Sequence, residues 1–206
     1  DGDDNIMAAV EYFDGNDWNL ASIASVTQSN PVTPDTQISI NNGVEYNLGD
    51  SDGYIHTSNG SNEITAVWDT DQDLTDTERG DIQVRVKAID GTDPSGYNES
   101  SVFTVDQVNP SSTTIALGSR TSNSLSLNWD SVSDEYFYRY IIYYSELQNE
   151  VEAESASIWD QTDDSNLTDI DTENTGINDL EEDTTYYYKM IAYDLFGNRS
   201  TTSVVS

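Results

Sequence analysis

Residues 180–194 carry the pattern that most constrains the fold of this chain. After Leu180 and Thr184, aromatic and apolar residues follow the two-residue repeat of a β-strand, whose neighbouring side chains point to opposite faces. One predicted face holds Tyr186, Tyr188, Met190 and Ala192, and the other holds Tyr187, Lys189, Ile191 and Tyr193. A strand with an apolar face needs a second layer to cover it, so this segment predicts a β-sandwich.

Strand-like segments recur along the whole chain, about every 10 residues, between clusters of Gly, Asn, Asp and Ser, a spacing typical of a sandwich. The best helix signal, at residues 150–157, is short. The 206 residues are enough for two sandwiches of about 100 residues each. Pro110 marks a short extended tether near the middle. We therefore predict an all-β chain of two tandem antiparallel β-sandwiches, at residues 1–108 and 109–206.

The second predicted sandwich resembles the fibronectin type III family over residues 112–206. The resemblance rests on the spacing of Leu180, Thr184 and Tyr186, in which Tyr186 takes the position of the tyrosine corner. Glu182 stands where the family usually has a proline, and residues 159–173 form a long acidic insert. The resemblance implies a module that does no catalysis by itself, although the fold hosts many unrelated functions.

The first half resembles an immunoglobulin-like module found in large surface proteins of bacteria and archaea. The motifs that carry this resemblance are Val10-Glu11-Tyr12, Asp14-Gly15, Trp18, Val67-Trp68-Asp69-Thr70, Val84-Arg85-Val86-Lys87-Ala88 and Phe103-Thr104-Val105-Asp106. Asp14-Gly15-Asn16-Asp17 predicts a hairpin turn, because Gly and Asn tolerate positive φ. The abrupt start at Asp1 suggests a piece of a longer polypeptide and a first sandwich that lacks an upstream strand.

Charge and composition exclude several classes of partner. The chain has 39 acidic and 7 basic residues, and its net charge of −32 repels nucleic acid and anionic membrane surfaces. No apolar run is long enough for direct membrane insertion. The chain has no cysteine, so it has no disulfide framework. The acidic residues fit solvated loops, divalent-cation binding or adaptation to high salt.

The residues needed for common catalytic sites are missing. The single histidine, His56, would have to serve any Ser-His-Asp set, and no Gly-x-Ser-x-Gly elbow is present. The sequence also has no Gly-rich phosphate loop and no zinc pattern. We therefore expect that the protein is not an enzyme.

Several acidic loops are candidate sites for structural Ca²⁺. The strongest candidate consists of Asp69, Asp71, Asp73 and Asp76, whose carboxylates would converge if the loop curled, although the EF-hand pattern fails at Leu74. The other two candidates are an acidic loop, with Asp160, Asp163, Asp164, Asp169 and Asp171, and a joint between the sandwiches, with Asp90, Asp93, Asp106 and Asn109.

The outer face of two neighbouring strands predicts a binding surface. Alternation sends the following side chains outward together: Ile141, Tyr143, Tyr187, Ile191 and Tyr193. Exposed apolar patches that contain tyrosine often mark interfaces, since the ring adds contact area and the hydroxyl adds a hydrogen bond. Raised strand propensity is the simpler explanation of the same pattern.

These observations favour a noncatalytic extracellular segment, a structural or adhesive module of a prokaryotic cell-surface or filament assembly. Its partners would be proteins, including copies of itself. The alternative is a glycan-binding accessory region of a secreted polysaccharide-degrading enzyme, with the tyrosine face stacking on sugar. A surface-layer subunit whose edge strand pairs with another chain is a third hypothesis. Asn59, Asn98, Asn166 and Asn198 begin Asn-x-Ser/Thr sequons, which would be glycosylated only in a suitable secretory system.

Overall fold

The computed structural model describes residues 6–28, 40–41, 45–49, 55–56, 63–90, 93–94 and 96–206. The chain divides into two compact units, residues 1–107 and 108–206, which puts the boundary one residue before the predicted one. Among the described residues, strands form nearly all regular structure, and the helices are short. The chain is an all-β protein built as β-sandwiches, as the sequence predicted.

The first unit consists of short strands around two long ones. Its elements are β1 (Ile6–Phe13), β2 (Trp18–Leu20), β3 (Ile23–Gln28), β4 (Ile40–Asn41), β5 (Glu45–Gly49), β6 (Ile55–His56), β7 (Ile64–Trp68), α1 (Thr70–Asp73), β8 (Glu78–Asp90), β9 (Asp93–Pro94), β10 (Asn98–Glu99) and β11 (Phe103–Asp106). The short strands and the intervening turns agree with the strand-like spacing that the sequence showed.

Two sheets face each other in the first unit. The larger sheet has the order β10-β8-β1-β5-β4, and antiparallel pairing of β1 with β8 forms its centre. The smaller sheet pairs β3 with β7. Ala8, Val10 and Tyr12 alternate along β1 and pack with Ile23 of β3 and Ile82 of β8 in one core. This alternation is what lets β1 present its other face, with Glu11, away from the core.

The turn from β1 to β2 forms as its residues predict. Gly15 has a φ of 93°, a conformation that glycine adopts without strain. The Asp14 Oδ1 atom accepts hydrogen bonds from the backbone N–H groups of Asn16 (2.8 Å) and Asp17 (2.9 Å). Both bonds lower the pKa of the Asp14 carboxyl, and the bond from Asp17 has the larger effect.

The second unit has seven strands in two sheets. Its elements are β12 (Ile115–Arg120), β13 (Leu125–Trp129), β14 (Phe137–Ser145), α2 (Gln148–Glu152), β15 (Ser157–Trp159), a 3₁₀ turn (Ser165–Thr168), β16 (Asn174–Ile177), β17 (Tyr187–Asp194) and β18 (Arg199–Thr201). One sheet has the order β12-β13-β16, and the other has the order β15-β14-β17-β18.

The predicted inward face of β17 forms the core of the second unit. Tyr188, Met190 and Ala192 are each no more than 2% exposed, and they pack with Leu127 and Trp129 of the opposite sheet. Tyr140 and Ile142 of β14 lie in the same core. Burial from both sheets makes this unit a sandwich, with the strand arrangement of a fibronectin type III-like fold.

The tyrosine corner is present. The backbone N–H of Glu181 donates a hydrogen bond to the Tyr186 hydroxyl at 3.2 Å. This bond ties the chain entering β17 back to a residue five positions upstream, which is the geometry expected of such a corner. The replacement of the family's proline by Glu182 has therefore not removed it.

The predicted helix at residues 150–157 is displaced. The helix α2 spans Gln148–Glu152, and residues 157–159 form β15, paired with β14 through Ile142 and Trp159. The Trp159 indole N–H donates to Thr175 Oγ1 at 3.1 Å. Nonlocal pairing of Trp159 therefore overrides the weak local helix signal.

Candidate binding surfaces

The residues of the predicted tyrosine face do come together. Ile141 and Tyr143 of β14 lie beside Ile191 of β17, with Tyr187 and Tyr193 packed at the margin. The register places Ile141 opposite Ile191 across the two strands. The sequence pattern therefore identified correctly which side chains share this face.

The prediction that this face is exposed is wrong. Ile141 and Tyr143 are 7% and 9% exposed, and Ile191 is fully buried. Val151 of α2, also fully buried, packs on them and makes a second hydrophobic cluster. The segment between β14 and β15 thus closes the face, and only Tyr187 and Tyr193 remain half-buried. Tyr143 has its pKa raised by the same burial.

Ion pairs fasten the covering segment to the sheet. Lys189 Nζ lies 2.8 Å from Glu154 Oε1, and Arg199 Nη1 lies 2.6 Å from Glu154 Oε2. The Lys189 ammonium, together with the Arg199 guanidinium, lowers the pKa of the Glu154 carboxyl. At the start of the segment, Ser145 Oγ of β14 donates to Glu150 Oε2 of α2 at 2.7 Å. Both ends of the segment are therefore fixed to strands.

The aspartates of the predicted calcium loop have separate roles. Asp69 caps α1 by accepting from the backbone N–H of Gln72 at 3.2 Å. Asp73 accepts from the Ser22 N–H at 2.7 Å, the Ser22 hydroxyl at 2.6 Å and the Trp68 indole N–H at 2.7 Å. Its carboxylate therefore ties β7 to the segment that precedes β3.

Asp71 and Asp76 complete that loop. The Asp71 Oδ1 atom accepts from the Gln107 side chain at 2.8 Å, and Asp76 has a φ of 51°. Within the described part of the chain, Asp69, Asp71, Asp73 and Asp76 do not gather three carboxylates within 4.8 Å. Asp71 and Asp73 lie in the short helix α1, and Asp69 and Asp76 lie before and after it, so their carboxylates do not converge. Calcium binding by this loop stays a prediction, and it requires the loop to rearrange.

The second acidic loop uses its carboxylates on its own backbone. Asp160 Oδ1 accepts from the Thr162 N–H and hydroxyl, both at 2.8 Å, which lowers the pKa of Asp160. Asp164 Oδ2 accepts from Thr175 Oγ1 at 2.6 Å, and Asp169 Oδ1 accepts from the Asp171 N–H at 3.0 Å. These contacts shape the insert around Trp159, and calcium binding by this loop stays a prediction.

The remaining predicted positions are only partly covered by the described residues. His56 is in β6, but its side chain is not described, and the same holds for the side chains of Asp90 and Asp93. Asn59 is outside the described residues altogether. Asn98 and Asn166 are exposed, whereas Asn198 Nδ2 donates to Asp194 Oδ2 at 2.7 Å.

A charged stack on the first unit was missed by the sequence analysis. The Arg85 guanidinium carbon lies 4.1 Å from the ring centre of Trp18 and 3.7 Å from that of Tyr97. Its Nε donates to Glu11 Oε2 at 2.7 Å, and the Tyr97 hydroxyl donates to Glu11 Oε1 at 2.9 Å. Glu11 is only 8% exposed. The alternation of β1 placed Glu11 on this face, but nothing local linked it to Tyr97.

The fold and these surfaces define a class: an all-β protein of fibronectin type III- or immunoglobulin-like sandwich units. No family model and no curated protein sequence matches this chain. Among solved structures, it is similar to the crystal structure of the chicken CNTN1 FN1-FN3 domains, with 14% identity and a TM-score of 0.47. That similarity covers 98% of this chain and 55% of the other chain. The described helices are all too short or too polar to span a membrane.

Proposed function

We propose that this chain is a noncatalytic spacer segment of a structural or adhesive assembly at a prokaryotic cell surface. The observation that carries the proposal is the presence of separate hydrophobic cores. One core draws on residues between Ala8 and Val105, and the other on residues between Ile115 and Val205. Units that each bury their own core are suited to holding distance and resisting extension along a chain.

The closed outer face of the second unit supports this role. Val151 and the Glu154 ion pairs cover the apolar strands that would otherwise attract other molecules. The strongly acidic surface keeps copies of the chain apart through long-range repulsion. Burial of Tyr143 leaves only the half-buried Tyr187 and Tyr193 for the sugar stacking that the glycan-binding alternative needs.

Force spectroscopy on the whole chain tests the spacer role. Pulling from both ends should give two unfolding events, each releasing roughly 300 Å of chain, because about 100 extended residues span that length. One combined event, or unfolding without a resolved force peak, would contradict the proposal. Antibody labelling of intact cells tests the location, and labelling that appears only after lysis would remove the extracellular part of the proposal.

Calcium is the proposed ligand that most needs a separate test. A cation bound only by the folded state at 100 times its dissociation constant stabilises by about 2.7 kcal/mol. We therefore expect a higher melting temperature in millimolar calcium than in chelator or in magnesium at equal ionic strength, and identical melts would rule out a tight structural site. A calcium-specific rise that is lost in Asp71→Asn would establish the loop as a site.

A further inference from the structure

A pocket of about 660 Å³ opens beside the tyrosine corner of the second unit. We call it the corner pocket. Its apolar wall is formed by Leu117 of β12, Leu125 of β13 and Leu180. Leu117 is 42% exposed, although it lies in the middle of a strand. The volume lies within the range of about 300–1,000 Å³ that is typical of ligand pockets.

The mouth of the corner pocket is acidic. Glu181, Glu182 and Asp183 are consecutive, exposed and part of its lining. Among the described residues, no hydrogen bond or ion pair engages their carboxylates, whereas their backbone groups bond to Tyr186 and Thr184. Arg120 also lines the mouth, and it is the one basic side chain that forms no ion pair within the described part of the chain.

Tyr188 gives the pocket a polar group without a partner. Its side chain is 2% exposed and lines the pocket, yet its hydroxyl makes no hydrogen bond with the described residues. The hydroxyl oxygen is not shielded from solvent, so it is open to a ligand that enters the pocket. Tyr140 donates to the Ile170 carbonyl at 2.9 Å, and Tyr186 accepts from Glu181. Burial raises the pKa of Tyr188 to about 12, so its hydroxyl remains protonated and able to donate at neutral pH.

We propose that the corner pocket binds a basic peptide segment of a protein partner. An apolar side chain of the segment packs against Leu117, Leu125 and Leu180, and a carbonyl accepts the Tyr188 hydroxyl. Lysine or arginine side chains on either side of the apolar residue pair with Glu181, Glu182 and Asp183. This choice follows from charge complementarity, because three unengaged carboxylates line a pocket that also presents three leucine side chains and the Tyr188 phenol. The inference does not rest on the spacer role.

The test is a binding titration of the whole chain with the peptide acetyl-Lys-Lys-Leu-Lys-Lys-amide. A peptide with glycine in place of the leucine tests the apolar contact, and acetyl-Glu-Glu-Leu-Glu-Glu-amide tests the charge. We expect the leucine peptide to bind at least tenfold more tightly than either. Tyr188→Phe should weaken binding by about threefold to tenfold, the usual range for one neutral hydrogen bond. The melting temperature of this variant confirms that its fold is retained.

A charge-matched pair of variants separates the pocket from general attraction to an acidic protein. The pocket variant combines Glu181→Gln, Glu182→Gln and Asp183→Asn. The control combines Asp130→Asn, Glu135→Gln and Glu173→Gln, three exposed carboxylates elsewhere on the same unit. The pocket variant should lose tenfold or more in affinity, and the control less than twofold. Arg120→Gln should strengthen binding about twofold, since it removes a like charge.

Three results would overturn the proposal. One is equal binding of the leucine and glycine peptides, and a second is equal loss of affinity in the two triple variants. The third is Arg120-dependent binding of the acidic peptide, which would mean that the pocket prefers a negatively charged ligand.

Discussion

The two units cover the outer faces of their large sheets by different means. In the second unit the outer face is apolar, with Ile141 and Ile191, and α2 buries it through Val151. In the first unit the outer face carries Glu11 and Arg85, which cover the sheet with stacked rings and an ion pair. Alternation in a strand fixes which residues share a face, and residues elsewhere in the chain decide how that face is closed.

The largest expected effect comes from removing the helical cover. Val151→Asp should lower the free energy of unfolding of the second unit by about 3–5 kcal/mol, because it places an unpaired charge in an apolar cluster. Asn149→Asp adds the same charge at an exposed position of α2 and should change stability by less than about 0.5 kcal/mol. Denaturant unfolding measures both. A loss below about 1 kcal/mol for Val151→Asp would mean that α2 detaches easily and that the face opens.

The second prediction concerns the ion pair of Arg85 with Glu11 on the outer face of the first unit. Arg85→Met should cost the first unit about 2–3 kcal/mol, since it leaves the Glu11 carboxylate buried without its main donor. The double variant with Glu11→Gln should recover part of this loss in a double-mutant cycle. Arg79→Met is the matched control, because its pair with Asp81 is more exposed than the pair of Arg85 with Glu11, and exposed pairs contribute about 0–1 kcal/mol. Equal losses for Arg79→Met and Arg85→Met would show that burial does not distinguish the two pairs.

The third prediction separates the rings from the ion pair. Tyr97→Leu removes the ring that lies 3.7 Å from the Arg85 guanidinium and should cost about 1 kcal/mol. Tyr97→Phe keeps the ring and removes the bond to Glu11, so it isolates the contribution of the hydroxyl. Hydrogen exchange of the β1 and β8 amides measures the change within the first unit. If Tyr97→Phe costs as much as Tyr97→Leu, stacking contributes nothing.

The smallest expected effect is a dependence on pH. The pKa of Glu154 is lowered in the folded state, so its ion pairs stabilise the second unit above the ordinary carboxyl pKa of 4.5. That stabilisation is lost as the pH falls through the folded-state pKa. Glu154→Gln should therefore narrow the stability difference between pH 7 and pH 3 for the second unit. A variant whose acid unfolding curve keeps the native slope would show that Glu154 does not anchor the segment.

The sequence predicted the features that depend on neighbouring residues. Alternation placed Tyr188, Met190 and Ala192 in the core, and the spacing to Tyr186 predicted the corner. The acidic spacing near Asp73 was misleading, because Ser22, 51 positions away, supplies two of its donors.

The cover over the tyrosine face was missed for the same reason. Val151 occupies a short polar helix whose sequence gives no sign that it packs on Ile191. The corner pocket also escaped prediction, since Leu117 and Leu180, far apart in sequence, line the same pocket only in the folded unit. Long-range packing therefore determined most of what the sequence analysis did not find.

The scarcity of basic residues has a practical consequence for chemical labelling. The chain has only two lysines, and each takes part in the polar contacts that cover a sheet. Lys87 Nζ donates to the Tyr97 hydroxyl beside Glu11, and Lys189 pairs with Glu154. Acylation of their amines would neutralise one anchor in each unit, whereas reductive methylation would keep both charges. Surface immobilisation through lysine would therefore perturb the covers of both sheets at once, and carboxyl-directed coupling would leave those amines untouched.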